Sequence, residues 1–84
     1  MRLKDQVAIV TGASRGSGRG IAKSFAAEGA KVAVVYKGSK EAADKLVEEI
    51  QQAGGVAMAL QCDVADFEAA RQCVEEVVKA WGAV

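Results

Sequence analysis

Three apolar runs, at residues 7–10, 32–35 and 56–60, punctuate the chain, and a segment of helical periodicity follows each of them. The first two runs are nearly continuous in Val, Ile and Ala, which suits strands covered on both faces of a parallel sheet. After the first run, Ile21, Ala22, Phe25 and Ala26 share one helical face, and Glu28-Gly29 suits a helix C-terminus. The second helical segment runs from an N-cap at Ser39 to Ala53-Gly54-Gly55. It turns Ala43, Leu46, Val47 and Ile50 inward and leaves Lys45, Glu48, Glu49 and Gln52 to water. The third opens near Asp66, with Asp63 or Asp66 as its cap, and stops at Gly82. Its inward set is Phe67, Ala70, Val74, Val77, Val78 and Trp81. The order is β-α-β-α-β-α with short connections, which implies right-handed parallel crossovers and an open α/β sheet.

Composition narrows the class. The chain has 84 residues, room for one small domain. Its 11 basic and 11 acidic side chains balance and are interspersed, so no basic face of the nucleic-acid-binding kind arises. The apolar runs are too short to span a membrane, and Met1-Arg2-Leu3-Lys4-Asp5 lacks the apolar core of a signal peptide. Cys62 and Cys73 show no metal spacing and read as two small buried thiols of a reducing cytoplasm. Neither a metal, a membrane nor a nucleic-acid partner is expected.

The chemistry concentrates in Thr11-Gly12-Ala13-Ser14-Arg15-Gly16-Ser17-Gly18, directly after the first strand. A helix that starts inside such a turn offers unpaired N–H groups and about half a positive charge to an anion such as a phosphate. Gly12 permits the tight turn, Gly16 a close approach by a cofactor, and Gly18 close packing of helix on strand. The dinucleotide fingerprint G-x-G-x-x-G is not met, because Gly20 falls one residue early after Gly16 and Gly18. The phosphate loop G-x4-G-K-[ST] also fails, since Arg19 follows Gly18.

The pattern that fits is T-G-x-x-x-G-x-G, and in it the chain resembles the short-chain dehydrogenase/reductase family. Cys62-Asp63-Val64 is similar to the family's Asp-Val pair after the third strand, and Trp81-Gly82-Ala83-Val84 to its approach to a fourth strand. The resemblance implies a doubly wound α/β (Rossmann) fold with parallel strand order 3-2-1, of which residues 1–84 are the N-terminal, dinucleotide-binding part. It implies that Gly12, Ser14, Arg15, Gly16, Ser17 and Gly18 face the cofactor phosphates and that Asp63, beside Val64, holds the adenine amino group. Ser17 departs from the bulky aliphatic residue usual at its place. Gly20 departs less, at roughly 1 kcal/mol of helix propensity relative to Ala.

Residues at the end of the second strand choose the dinucleotide. NAD-preferring proteins place a carboxylate there for the ribose 2′-hydroxyl, yet no acid occurs between Gly29 and Lys40. Arg15 and Lys37, with Ser14 and Ser39 as hydroxyl donors, suit a 2′-phosphate, so NADP is expected. Tyr36 either packs beside the adenine or caps the sheet edge.

Within the family, the opening residues and Tyr36-Lys37-Gly38-Ser39 most resemble 3-oxoacyl-(acyl-carrier-protein) reductases of fatty acid biosynthesis. That resemblance implies a carbonyl substrate, carried on acyl-carrier protein in those enzymes, and a homo-oligomer. Family enzymes use Tyr-x-x-x-Lys, Ser and Asn beyond the fourth strand. Tyr36-x-x-x-Lys40 matches formally but sits where the adenine ribose belongs, and the chain has no Asn and no His. The chain is therefore expected to be the cofactor-binding part of a reductase about three times as long, inactive alone. In the 3-2-1 order the first strand exposes an apolar edge, the first two helices cover one sheet face and the third covers the other. Two readings of other classes remain open. One is a methyltransferase binding S-adenosylmethionine, whose landmarks Gly16, Gly18, Gly20 and Asp63 loosely mimic. The other is a non-catalytic nucleotide-binding module.

Overall fold

Val32, Val34 and Tyr36 alternate with Ala33 and Val35 along one strand, and all five are buried. That is what a central strand with both faces covered demands. The computed structural model describes residues 6–12, 16–63 and 65–82. They form β1 (Val7–Thr11), α1 (Gly16–Ala27), β2 (Lys31–Tyr36), α2 (Lys40–Gln52), β3 (Val56–Gln61) and α3 (Phe67–Trp81). The three strands are parallel in the order β1-β2-β3, with β2 in the middle. Thr11 pairs with Val35, and Tyr36 with Gln61, so the carboxyl ends of all three strands reach one rim.

The faces divide as the crossover rule requires. Val32, Val34 and Tyr36 of β2 pack with Ala22 of α1 and with Ala43, Leu46 and Ile50 of α2. On the opposite face Val35 packs with Cys62 and with Cys73 of α3, flanked by Ala69 and Ala70. Burying a Leu46-sized side chain is worth about 1.5–3 kcal/mol, so the α2 stripe is a principal anchor of this layer. β1 has one strand neighbour among the described residues and is correspondingly less buried than β2.

Three expectations need correction. The inward line of α3 is Ala70, Cys73 and Val77, whereas Phe67 is 79% exposed and Val74 and Val78 are 42% and 43% exposed. Val74 and Val78 each follow a buried residue by one position, about 100° round the helix. A three-stranded sheet contacts only one of these two adjacent apolar lines. Ile21 likewise lies outside the α1 contact line, next to the fully buried Ala22. Finally, Glu49 does not simply face water: its carboxylate is ion-paired with Arg19 and, at 2.7 Å, with Lys23. These pairs tie α1 to α2.

The turn from α2 into β3 depends on the missing side chain of Gly55. A Cβ there would lie 2.7 Å from Ile50 Cγ2 and 3.3 Å from Ala26 Cβ. The Gly55 N–H closes the helix by donating to the Ile50 carbonyl at 2.9 Å. Cys62 and Cys73 are both free thiols and both buried.

Candidate functional site: the rim at the carboxyl ends of the strands

β1 ends at Thr11, and Gly12 turns the chain away with φ +65°, a left-handed conformation that glycine adopts without steric cost. Its N–H still donates to the Val35 carbonyl at 3.2 Å, so the turn starts pinned to β2. The first turn of α1 contains Gly16, Ser17 and Gly18 and no acidic residue. The positive end of this helix dipole therefore meets no internal carboxylate there, as an anion site at a helix N-terminus requires. Ser14, Arg15 and Val64, named from the sequence, lie outside the described residues, as do residues 1–5 and 83–84.

β2 supplies the second part of the rim. The Tyr36 ring is buried with the α1–α2 core, and its carbonyl accepts the Cys62 N–H at 2.8 Å. Tyr36 thus works as a packing residue that fixes where the chain leaves the sheet. Lys37 follows it, with its side chain 77% exposed and its ammonium 3.6 Å from Asp63 Oδ2. Ser39 stands at the N-cap position of α2 and its carbonyl accepts the Ala43 N–H at 3.0 Å. Lys40 points along its own helix to Asp44 at 2.8 Å. That hydrogen bond, reinforced by the Asp44 charge, pushes the Lys40 pKa up. Of the formal Tyr-x-x-x-Lys match, Tyr36 packs in the core and Lys40 is paired with Asp44.

β3 supplies the third part. Asp63 follows the strand, and its Oδ1 accepts the Ala65 N–H at 3.0 Å. The cap of α3 is Asp66, which accepts from the N–H groups of Glu68 and Ala69 at 3.1 and 3.3 Å. That resolves the choice between the two aspartates and leaves Asp63 on the rim. One neighbour was not singled out from the sequence: Gln61 Nε2 donates to the Lys37 carbonyl at 3.2 Å. Its signal is visible only through register, because Gln61 pairs with Tyr36, the residue before Lys37.

The rim thus joins a left-handed glycine turn, a carboxylate-free helix N-terminus, an exposed ammonium and an exposed carboxylate. Chemically, such a rim offers a helix N-terminus to an anion, with a cation and a carboxylate beside it. Among the described residues no cluster of His, Cys, Asp and Glu is able to hold a metal. No helix among them is long and apolar enough to cross a membrane.

Residues 6–84 match the model of the short chain dehydrogenase family. Over 77 residues, 92% of this chain and 31% of the relative, the sequence is 49% identical to a 3-oxoacyl-[acyl-carrier-protein] reductase of Staphylococcus aureus. A dehydrogenase/reductase structure from Sinorhizobium meliloti superposes with a TM-score of 0.94 at 48% identity, covering 96% of this chain and 32% of that one. A short chain dehydrogenase structure from Burkholderia cenocepacia in complex with NADP superposes with a TM-score of 0.91 at 46% identity, covering 98% of this chain and 34% of that one. The chain spans about a third of the length of the curated relatives it matches.

Proposed function

The chain belongs to the short-chain dehydrogenase family, and on that premise we propose that it is the cofactor-binding part of an NADP-dependent carbonyl reductase. The observation that carries the cofactor choice is Lys37, an exposed ammonium at the end of β2 where an NAD-preferring protein keeps a carboxylate. A 2′-phosphate gains charge-assisted hydrogen bonds from a lysine and would be repelled by an acid. Arg15, in the glycine turn, adds a second cation on the sequence reading. Gly12, Ser14 and residues 16–18 would hold the pyrophosphate, Ser39 would add a hydroxyl beside Lys37, and Asp63, with Val64, would receive the adenine amino group.

When bound, the reduced cofactor supplies a hydride to a carbonyl carbon. The residues of this stretch bind and orient it, and none is assigned to proton transfer. The relationship to the Staphylococcus aureus 3-oxoacyl-[acyl-carrier-protein] reductase supports a 3-oxoacyl carbonyl compound as the substrate class of the longer enzyme to which this stretch would belong. The proposal extends to a homo-oligomeric cytoplasmic enzyme. The methyltransferase reading ends with family membership.

Calorimetric titration of the full chain with NADPH, NADH and S-adenosylmethionine tests the reading. Binding of NADPH at least about tenfold tighter than NADH is expected from one charge-assisted phosphate contact. Tighter binding of NADH, or binding of S-adenosylmethionine alone, overturns it.

A further inference from the structure

Lys37 is held at both ends. Its carbonyl accepts from Gln61 Nε2 at 3.2 Å, and its ammonium lies 3.6 Å from Asp63 Oδ2. Asp63 is itself constrained, because Oδ1 accepts the Ala65 N–H at 3.0 Å and its carbonyl accepts the Asp66 N–H at 2.9 Å. The turn after β3 therefore presents Oδ2 to the lysine. A lysine on a long flexible stem surrenders rotamer freedom when it grips a ligand. One already drawn toward an ion-pair partner has less to lose, and because 3.6 Å is longer than a hydrogen bond, all three N–H donors of the ammonium remain for a phosphate.

We infer that Asp63 is a positioning residue for Lys37, and through it sets the discrimination between dinucleotides with and without a 2′-phosphate. The inference rests on the reading that Lys37 faces that phosphate. It assigns Asp63 a role separate from its adenine contact, because an adenine contact is common to both dinucleotides and cannot discriminate them. Simple electrostatics opposes the inference: a carboxylate on the rim repels a phosphate, so removing its charge should favour NADPH. Positioning predicts the reverse, but only while Lys37 is present. The opposite signs make the test decisive.

Asp63→Asn keeps an Oδ1 acceptor for the Ala65 N–H and removes the charge. Dissociation constants for NADPH and NADH would be measured by calorimetry on the full chain, the Asp63→Asn and Lys37→Met variants, and the double variant. Circular dichroism and the melting temperature of each variant report that it is folded, and the NADPH-to-NADH ratio cancels any loss of the adenine contact common to both. Asp63→Asn is expected to lower the NADPH-to-NADH affinity ratio about threefold, the scale of a solvent-exposed ion pair. In the Lys37→Met background the same substitution should raise the ratio, since only repulsion is then removed. A ratio that rises or stays constant with Lys37 present overturns the positioning role, and so does an equal fall in both backgrounds. A Lys37→Met variant with the parent ratio overturns instead the underlying reading that Lys37 meets the 2′-phosphate.

Discussion

The Lys23 ammonium of α1 lies 2.7 Å from the Glu49 carboxylate of α2, and Arg19, one turn earlier in α1, reaches the same carboxylate. Two cations converge on one acid where the two helices of the same sheet face meet. The Lys23 hydrogen bond, then that of Arg19, holds the Glu49 carboxyl below the ordinary carboxylate range.

A pH dependence follows from that direction. The folded pKa is depressed, so between the folded and unfolded values the unfolded state binds more protons and stability rises with pH. The contribution of Glu49 is present above the ordinary carboxylate range and is lost as pH falls through it toward the folded value. Glu49→Gln is expected to lower the melting temperature at neutral pH, with the gap to the parent closing in acid and narrowing in high salt. Thermal unfolding followed by circular dichroism from neutral to acid pH checks this. A gap that stays constant across the series would show that the pairs contribute nothing.

The close approach of Gly55 to Ile50 gives a second prediction. Gly55→Ala puts a methyl group 2.7 Å from Ile50 Cγ2 and 3.2 Å from the Ile50 carbonyl oxygen. Ile50 is a core residue, and both atoms lie close to its own backbone, so relief requires moving the end of α2. Overpacking of this kind costs about 1–3 kcal/mol, read as a loss in urea midpoint. Unchanged stability would mean that the turn relaxes freely.

Gly20 gives the opposite sign. It is an exposed residue inside α1, and a Cβ there meets nothing within 4 Å. Gly20→Ala should therefore stabilise the fold by about 0.5–1 kcal/mol, through helix propensity and a less flexible unfolded chain. Thermal and urea unfolding should both move upward.

Burial, assisted by the neighbouring Cys62, pushes the Cys73 thiol up to about 11. At pH 8 the thiolate is then a minor species, and a disulfide exchange reagent should modify Cys73 at least about tenfold more slowly than an exposed cysteine, the scarcer thiolate being partly offset by its greater nucleophilicity. An unfolded thiol ionises near 9.0, so between that value and about 11 the folded state binds more protons and stability falls as pH rises. Mass spectrometry of peptides after timed labelling resolves Cys73 from Cys62. Rapid labelling of Cys73 in the folded protein would contradict its burial against Val35.

How far these features were legible in the sequence depends on whether each is local. The run from Val32 to Val35 announces a doubly covered strand, and the spacing of Ala43, Leu46 and Ile50 announces the face that covers it. For α3 the same signal misleads, because apolar residues occupy two adjacent lines of the helix and only the sheet decides which one docks. Phe67 and Val74 fall on the outer line. The glycine turn is legible because Gly12 and the start of α1 are neighbours in the chain. The Gln61–Lys37–Asp63 contacts are not, since they exist only in the register that sets Tyr36 beside Gln61.

The last prediction concerns the identity of the residue after Tyr36. Lys37→Asp installs a carboxylate in place of the ammonium, at the end of β2 and close to Asp63. Two like charges would then face a 2′-phosphate, whereas a ribose 2′-hydroxyl could donate to the new acid. The charge reversal also removes a charge-assisted hydrogen bond, which alone is worth about 1.5–3 kcal/mol, or tenfold and more in affinity. NADPH affinity should fall by at least that factor while NADH affinity holds or rises. Because Lys37 is solvent-exposed and packs into neither core cluster, the melting temperature should move little. That separates a change of selectivity from damage to the fold. A parallel loss of both dinucleotides at unchanged melting temperature would assign Lys37 to a contact that both share, such as the pyrophosphate, and remove the ground for preferring NADP.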